Sequence, residues 1–349
     1  MQAGFDESMV KATIEDVAEE AGVSVATVDR VLNGRAAVRP QTADRVEKAI
    51  RRLNYQPDRL AARLARAREY RFCFILPEGA NAFMLALGDA VQDEALRMAR
   101  EKVVIDLRYT DVFDAQKLSN TLDSIGPIYD GVAVVALDHP RVREAINALA
   151  ERGVTVVTLV SDVPSSKRIH YVGIDNSAAG RTAATLMGRY LSGRRGKVGL
   201  IAGSLSLRDH IERQFGFEQV MAHDFPNLTI LPVREGRDDR DKVQAVADQL
   251  LADHPDLIGL YNVGAGSGGI AAALDHAGRA RDVVFITHEL TEDTRRALID
   301  GTIDIIINQD AGHEVRSAIR VLMSKADKLP IVEQMERIRI DIYLRDNIP

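Results

Sequence analysis

The sequence predicts an α-helical helix-turn-helix headpiece followed by an α/β region, folded as two doubly wound parallel-sheet lobes. Two observations support this fold class. Residues 13–33 hold two short helical patterns joined by a tight turn at Gly22–Ser24. After Arg71, ten continuous apolar runs alternate with helical stretches, which is typical of parallel strands covered on both faces. Ten strands are too many for one sheet of ordinary size and divide near Asp175, so two sheets are expected.

The first helical pattern has clear start and stop signals. Thr13 can cap the free backbone amides, and Asp16 completes a capping box. Gly22 supplies the conformation that ends this helix, and Ser24 caps the next. In a helix-turn-helix, the second helix enters the DNA major groove with its first residues at the base edges. An ordinary helical hairpin would show the same spacing. The residues placed to face DNA are Val25, Ala26, Asp29 and Arg30.

A third helix is expected from about Thr42 to Asn54, and Pro57 stops it. A series of short motifs occurs at fixed spacings: Asp16–Ala18, Ala21–Ser24, Thr27–Val28, Arg30–Asn33, Leu53–Tyr55, Pro57 and Leu60–Ala65. With these motifs, nearly all of residues 12–66 resembles the headpiece of LacI/GalR-type bacterial repressors. So many fixed spacings in one run are far more specific than a lone helix-turn-helix.

The resemblance implies contacts in both DNA grooves. In the family, the segment that matches Asp58–Arg66 is a hinge that is helical only on operator DNA. Two hinges enter the minor groove, and the residue matching Leu64 wedges between base pairs. Plain helix packing is the alternative role for Leu64, although the segment is too short and Arg-rich for a stable isolated helix. The DNA-contacting residues are predicted to be Thr13, Ser24, Val25, Ala26, Thr27, Asp29, Arg30, Asn33, Arg39, Thr42, Tyr55, Ala61 and Leu64.

Two positions depart from the family pattern. Asp29 stands where a small hydroxyl residue is more usual, and Asp58 replaces a more usual Asn. A carboxylate near phosphates is repelled unless it accepts from a cytosine amino group or pairs with Arg30. Operator sequence and affinity are therefore open.

The charge is distributed unevenly along the chain. Residues 9–71 hold 13 Lys and Arg against 9 Asp and Glu, whereas residues 72–349 hold 32 against 40. The basic excess of the headpiece is suited to phosphate and supports DNA binding, although a solvated charged surface also explains an excess of about four.

At 349 residues, the chain is expected to hold several domains. We expect a disordered extension (1–10), the headpiece (11–57), a hinge helix or linker (58–70) and a two-lobed effector-binding and dimerisation domain (71–349). The sequence contains no apolar run long enough for a membrane span and no apolar targeting core. Its single cysteine, Cys73, is expected to be a small core residue. A cytoplasmic, nucleoid-associated protein is therefore predicted.

Three further segments carry a second resemblance: Val172–Ala184, the run ending at Phe217, and Ile307–Asp310. With them, roughly residues 71–345 look like the sugar-binding type of periplasmic binding protein, the type I-like fold that this repressor family carries as its effector domain. In that architecture the chain crosses between lobes three times, and we expect crossings near Asp175, Gln309 and the 330s.

Ligands in such sheets lie beyond the carboxyl ends of the strands, in the cleft between the lobes. Polar acceptors and donors beside flat apolar surface suit a sugar. A solvated loop group or a helix cap is the alternative for each single residue, and capping is favoured for Asp175 and Asn176. The strand-end candidates are Asn81, Phe83, Met84, Ser161, Asp162, Arg208, Asp209, His210, Arg213, Asn262, His288, Glu289 and Gln309.

His288 occupies a position where the family typically has an Asp. A carboxylate clamps two adjacent sugar hydroxyls, which histidine cannot do alone. Either Glu289 takes over, or an acidic ligand binds Arg208, Arg213 and the histidines. The expected effector is a sugar, a polyol or a sugar acid.

The segment Gly264–Gly269 imitates a dinucleotide-binding fingerprint, with Glu289 twenty residues on. Its spacing is G-x-G-x-G-G, however, and it follows a late strand. The sequence contains no G-x-S-x-G elbow and no thiolate or paired-histidine metal spacing. No cofactor, no metal and no enzymatic activity are expected.

The sequence thus predicts a homodimeric transcription regulator, most simply a repressor, that binds a palindromic double-stranded operator and a carbohydrate-like effector. One recognition helix covers one half-site, so two copies are needed. A sugar-binding component of a transport system and an NAD-dependent oxidoreductase are the two rival classes.

Overall fold

The computed structural model describes residues 12–32, 38–53, 55 and 68–349, without the side chain of Asp29. The chain divides between Arg68 and Glu69 into two compact units.

The amino-terminal unit is built on three helices, α1 (Ile14–Ala21), α2 (Val25–Leu32) and α3 (Pro40–Arg52). Val17, Val28 and Val46, one from each helix, are fully buried and form the centre of a small core. Thr13 and Asp16 make the predicted capping box: the Asp16 amide donates to Thr13 Oγ1 at 3.3 Å, and the Thr13 amide donates to Asp16 Oδ2 at 2.7 Å. The helix-turn-helix fold of this segment is confirmed.

The larger unit contains two sheets. The first has strand order β2-β1-β3-β4-β5, and the second has order β12-β11-β10-β9-β6-β7, with β8 pairing beside β6. Its strands are β1 (Tyr70–Pro77), β2 (Val103–Thr110), β3 (Gly131–Val134), β4 (Thr155–Leu159), β5 (His170–Val172), β6 (Gly196–Ala202), β7 (Leu228–Ile230), β8 (Arg234–Glu235), β9 (Leu257–Asn262), β10 (Val284–His288), β11 (Ile305–Asn308) and β12 (Asp341–Tyr343).

Helices cover both faces of each sheet, as a doubly wound fold requires. They are α4 (Ala82–Met98), α5 (Ala115–Asp123), α6 (Pro140–Glu151), α7 (Asn176–Tyr190), α8 (Arg208–Asp224), α9 (Arg240–Asp253), α10 (Ser267–His276), α11 (Glu292–Asp300), α12 (Ala311–Ala326) and the single turn α13 (Glu333–Glu336). Short 3-10 turns follow α4 and β12 at Ala99–Glu101 and Arg345–Asn347.

The chain passes between the two lobes three times, as expected. It leaves the first sheet after β5 and enters α7, which packs on α8 of the second lobe. After β11 it returns, because α12 packs against α4 and β4 of the first lobe. It then crosses back through α13 to β12, which pairs with β11. Neither lobe is therefore a continuous piece of chain.

Two strands were missing from the sequence prediction. β8 is only two residues long, and β12 runs antiparallel to β11, with Ile307 opposite Ile342. Both are too short and too polar to stand out as apolar runs. The remaining strands are parallel, which confirms the doubly wound fold class.

Cys73 lies in β1 and is fully buried, as a small core residue is expected to be. Burial raises the pKa of its thiol to about 11, so the sulfur stays protonated at neutral pH. Among the residues that the structure describes, no helix has the length and apolar character needed to cross a bilayer.

Candidate functional site

A cleft of about 560 Å³ opens between the two lobes of the larger unit. Loops at the carboxyl ends of strands from both sheets form its walls, which is where ligands lie in open α/β sheets. Its volume falls in the range of small-molecule sites. Ten of the thirteen predicted residues line it: Asn81, Phe83, Met84, Ser161, Asp209, His210, Arg213, His288, Glu289 and Gln309.

Three predicted residues do not line the cleft. Asp162 turns away from it, because its carboxylate accepts hydrogen bonds from Thr158 and from Arg168, the latter at 2.5 Å. Its role in the fold is to hold the loop after β4.

Arg208 lies on a neighbouring groove, where Nε donates to Glu212 Oε1 at 2.7 Å and Nη1 donates to Asp138 Oδ2 at 3.3 Å. Asn262 is fully buried beneath the cleft, and its Nδ2 donates to Ser267 Oγ at 2.8 Å. Both residues were predicted to lie at the site because each follows a strand. Their side chains point to other partners, which the sequence does not reveal, and so they do not line the cleft.

Arg213 forms the polar floor of the cleft and is only 3% exposed. It projects from α8, and its Nε donates to Asn176 Oδ1 while Nη1 donates to the Val263 carbonyl, each at 2.8 Å. Its Nη2 has no hydrogen-bond partner and lies 4.0 Å from Glu289 Oε1. A fixed guanidinium with one free donor is suited to bind a ligand oxygen.

Glu289 and Gln309 lie side by side on the same floor. Gln309 Nε2 donates to Glu289 Oε1 at 2.8 Å, and Gln309 Oε1 has no partner. Burial raises the pKa of Glu289 to about 7, against the opposing effect of Arg213. Glu289 also has a left-handed backbone, with φ 65°, a conformation that costs free energy for a non-glycine residue.

Glu314, at the start of α12, is fully buried, and neither of its carboxyl oxygens has a partner. Its pKa lies well above its usual value, first because of burial and then because of Glu289. Burial and the neighbouring carboxyl group therefore favour the protonated form of Glu314, which lies outside the lining of the cleft.

His288 does not present a charged ring to the cleft. Tyr261 Oη and His288 Nε2 lie 2.8 Å apart, and Nδ1 has no partner. Burial first, and then the nearby Arg213, holds the pKa of His288 well below its usual value. A neutral imidazole offers a ligand one hydrogen-bonding nitrogen and no charge. The idea that His288 helps to hold an anion is thus weakened.

Five buried polar atoms on the cleft residues lack hydrogen-bond partners. Buried polar groups are paired in the great majority of cases, so a cluster of unpaired ones indicates a polar ligand. Four of the five can accept a hydrogen bond, and Arg213 supplies the fifth as a donor. The atoms are Ser161 Oγ, Asp209 Oδ1, Arg213 Nη2, His288 Nδ1 and Gln309 Oε1.

The first lobe supplies the apolar side of the cleft. Phe83, Met84 and Phe113 line it. Asn81, also on the wall, caps α4, because its Oδ1 accepts from the Phe83 and Met84 amides at 3.0 and 3.3 Å. A flat apolar wall that faces a polar floor is the arrangement that a sugar ring needs.

Several wall residues were missed by the sequence analysis. Arg237 and Asp238 follow β8 with left-handed backbones, at φ 55° and 57°. The Arg237 guanidinium carbon lies 5.7 Å from the centre of the Phe113 ring, so this pair joins the two lobes. The short, polar strand β8 left no periodic signal from which this loop could have been located.

The glycine-rich loop at 264–269 has a packing role. A Cβ on Gly269 would lie 2.2 Å from the Arg240 carbonyl, and one on Gly264 would lie 2.8 Å from the Gly203 amide. Gly266 adopts φ 82°. These glycines let α10 approach its neighbours closely, which accounts for the motif without a pyrophosphate. No group of three or more potential metal-binding side chains occurs in the described ranges.

The headpiece presents its second helix as predicted. Val25, Ala26 and Arg30 are exposed, whereas Val28 on the opposite face is buried. Ser24 Oγ accepts from the Thr27 amide at 3.3 Å and so caps α2.

Of the other predicted DNA-contacting residues, Thr13 caps α1 and Arg39 is exposed just before α3. Thr42 is half-buried, and Tyr55 packs against the small core. Those that lie outside the described residues are Asn33, Ala61, Leu64 and the side chain of Asp29, together with the 1–10 extension and most of the 58–70 segment.

Two family models match the chain. The model of the periplasmic binding protein domain matches residues 72–329, and the model of the bacterial regulatory proteins of the lacI family matches residues 13–58. The chain belongs to the family of the periplasmic binding protein domain, and its amino-terminal helices match the lacI-family model. Its relatives include catabolite control protein A of Streptococcus mutans, which is 32% identical; the match spans only about half of either protein, 55% of this chain and 55% of the relative. The homologous protein of Staphylococcus epidermidis is 28% identical over 70% of this chain and 72% of its own length.

Solved structures of solute-binding proteins share the fold of the larger unit. A glucose-galactose binding protein from Geobacillus stearothermophilus has TM-score 0.70 at 22% identity, with 81% of this chain and 99% of that chain covered. A transporter solute-binding protein from Burkholderia graminis, in complex with D-arabinose, has TM-score 0.72 at 23% identity, with 80% and 97% covered. At these identities the likeness is one of fold.

Proposed function

We propose that this protein is a ligand-responsive transcription regulator, most simply a repressor, that binds a palindromic operator as a homodimer. The observation that carries the proposal is the set of unpaired polar atoms in the cleft of a chain that also bears a lacI-family headpiece. A regulator that responds to a small polar molecule combines a site for that molecule with a DNA-binding helix-turn-helix, and this chain has both. The proposal assigns no catalytic step to the chain.

The effector chemistry follows from the walls of the cleft. Acceptors on Asp209 and Gln309 suit ligand hydroxyls, and the free donor on Arg213 suits a ligand oxygen. Phe83 and Phe113 supply apolar surface for ring carbons. We therefore propose a carbohydrate-like effector, either a sugar or a polyol. A sugar acid fits less well, because the cleft wall carries more carboxylates than guanidinium groups.

Regulation requires only that the ligand prefer one lobe arrangement over another. A coupling of about 1–3 kcal/mol changes DNA affinity roughly 5- to 150-fold. The three crossings are the connections through which closure of the cleft changes the position of one lobe relative to the other. We propose that this movement acts on the paired 58–70 segments, which are the hinges that the family pattern implies.

The proposal is tested in two steps. Purified protein is used to select fragments from a random duplex library, and the enriched sequence is examined for a palindrome. A thermal-shift screen against neutral sugars, polyols and sugar acids then identifies the effector, since binding to the native state raises Tm by mass action. Addition of the identified effector must change operator affinity. No enrichment over random duplex, with or without candidate effectors, would refute the regulator proposal.

The hinge proposal has its own test. Leu64→Ala is expected to weaken specific operator binding while effector binding is retained, because in the family the matching residue kinks DNA, whereas the proposed effector site is built from residues of 71–349. Unchanged operator affinity in a gel-shift series would count against the wedge.

A transport-type sugar-binding protein is the second candidate, favoured by the fold shared with solved sugar-binding proteins. It predicts tight sugar binding without sequence-specific DNA binding, so the first selection step separates the two functions.

A further inference from the structure

A second cavity of about 590 Å³ adjoins the cleft. We call it the flanking groove. It lies where α4 begins, between the ends of β10 and β11 and the start of α12. The two cavities share five wall residues, so they adjoin along this stretch. The shared residues are Ala82, Phe83, Glu289, Thr291 and Gln309.

The walls of the flanking groove resemble those of the cleft in chemistry. Phe83 and Tyr343 supply two aromatic rings, and carboxylates come from Glu292, Asp310 and Asp341. Aromatic surface beside hydrogen-bond acceptors suits a sugar ring and its hydroxyls. No Lys or Arg is on the described wall; Arg316, which is not part of it, lies 3.9 Å from Asp310. An anionic ligand unit would therefore be repelled here.

Gln309 connects the two cavities and is only 3% exposed. It lines both of them, its amide nitrogen is used by Glu289, and its Oε1 has no partner. A buried amide oxygen without a donor indicates a ligand hydroxyl where the two cavities meet. A ligand confined to one cavity would leave the other set of acceptors and its aromatic wall unused.

We propose that the effector is an extended, non-acidic saccharide of at least two units, with one unit in the cleft and the next in the flanking groove. This inference rests on the proposed function and names the size and charge of its effector. Phe83 then contacts both units, and Gln309 binds at their junction.

The test compares binding of single and double sugar units. Titration calorimetry is carried out with glucose and galactose, with the neutral disaccharides maltose, cellobiose, lactose, melibiose and trehalose, and with lactobionic acid. At least one neutral disaccharide is expected to bind tenfold or more tightly than its component monosaccharides. Lactobionic acid is expected to bind less tightly than lactose.

Two substitutions on α4 test the role of the flanking groove, one inside it and one outside both cavities. Ala86 is exposed on α4 and lines the flanking groove alone, so Ala86→Trp fills that groove without burying a new side chain in the core. It is expected to abolish the disaccharide preference and to leave monosaccharide affinity within about twofold. Gln92→Trp, also exposed on α4 but outside both cavities, is the control and is expected to bind as the parent does.

The outcomes separate the two proposals. If monosaccharides bind and change operator affinity but no disaccharide binds more tightly, the extended-ligand inference is wrong and the regulator proposal stands. An unaltered disaccharide preference in Ala86→Trp also overturns the inference. If no saccharide of either length binds, both this inference and the carbohydrate effector are refuted.

Discussion

Arg213 Nε donates a 2.8 Å hydrogen bond to Asn176 Oδ1, and this bond joins α8 to the start of α7 on the floor of the cleft. The same guanidinium donates to the Val263 carbonyl, so two of its nitrogens are fixed by the fold and one remains free. Backbone packing reinforces the arrangement, because a Cβ on Gly180 would lie 2.0 Å from the Arg213 carbonyl. The free donor is thus held at a defined position before any ligand arrives.

Arg213→Met is expected to lower effector affinity roughly 10- to 100-fold, because a hydrogen bond from a charged donor contributes about 1.5–3 kcal/mol. The variant is also expected to lower Tm, since Asn176 and the Val263 carbonyl lose their donor. Titration calorimetry and thermal unfolding measure the two effects. Arg208→Met is the control: its partly exposed ion pairs lie outside the cleft wall, and we expect a loss of effector affinity of less than about fivefold. Equal losses in both variants would contradict the assignment of Arg213 as the floor donor.

Glu289 predicts a pH dependence of stability. Its pKa rises from 4.5 in the unfolded chain to about 7 in the fold, mainly through burial. Below pH 4.5 both states bind the proton; between pH 4.5 and 7 only the folded state keeps it, so stability falls as pH rises through this window. Each pKa unit corresponds to about 1.4 kcal/mol.

The measurement compares Tm at pH 5 and pH 8 for the parent protein and for Glu289→Gln. The variant cannot ionise, so its Tm relative to the parent is expected to increase on going to pH 8. The Tm of the variant is still expected to fall somewhat from pH 5 to pH 8, because the pKa of buried Glu314 is also raised and changes stability in the same direction. Glu292→Gln, at an exposed position, serves as the control. Parallel curves for all three proteins would show that Glu289 does not titrate in this window.

The Phe113–Arg237 pair predicts an effect on ligand release. The two residues belong to different lobes and lie 5.7 Å apart from ring centre to guanidinium carbon. Phe113→Ala removes this contact and part of the apolar wall, which is expected to reduce the free energy of effector binding by about 1 kcal/mol. We expect effector dissociation to become about fivefold faster in stopped-flow experiments.

Arg108 and Tyr129 provide a matched pair within one lobe, also at 5.7 Å. Arg108→Gln is expected to leave the dissociation rate unchanged. If this variant speeds release as much as Phe113→Ala, the effect comes from general loss of stability and the bridging role is refuted.

Arg30 is exposed on α2, so its substitution is expected to weaken DNA binding without destabilising the fold. Arg30→Ala is expected to lower affinity for the selected operator by about 1–3 kcal/mol, or roughly 5- to 150-fold, as for loss of a base contact. Arg52→Ala is the control, because Arg52 pairs with Glu20 at 2.8 Å and was not predicted to contact DNA. Fluorescence anisotropy at several salt concentrations measures both. If Arg30→Ala weakens binding equally for all DNA sequences and makes affinity less dependent on salt, Arg30 contacts a phosphate instead of a base.

Much of the fold could be predicted because its signals are local. Thr13, Asp16 and Gly22 mark a helix start and stop through backbone chemistry alone, and β1 is a run of buried residues that cannot alternate. β12 could not be found this way, because its pairing with β11 joins segments some 35 residues apart and its exposed face removes the apolar signal.

The site was predicted less completely, for a different physical reason. Position after a strand brings a residue near the cleft, but the direction of its side chain depends on partners distant in sequence. Asp162 is drawn away by Arg168, whereas Arg213 is drawn in by Asn176. Arg237 could not be predicted, because it lies in a loop whose backbone conformation is not marked by any periodic pattern in the sequence.

The return of the chain to both lobes after β11 affects how the molecule is made. During synthesis, the elements of the first sheet emerge from the ribosome long before α12, which covers one of its faces, and the second sheet waits for β12. Neither half can finish folding while the polypeptide is still short. The nascent molecule therefore exposes unfinished surfaces until its final forty or so residues have been translated, and this delay creates a period in which chaperones are expected to be needed.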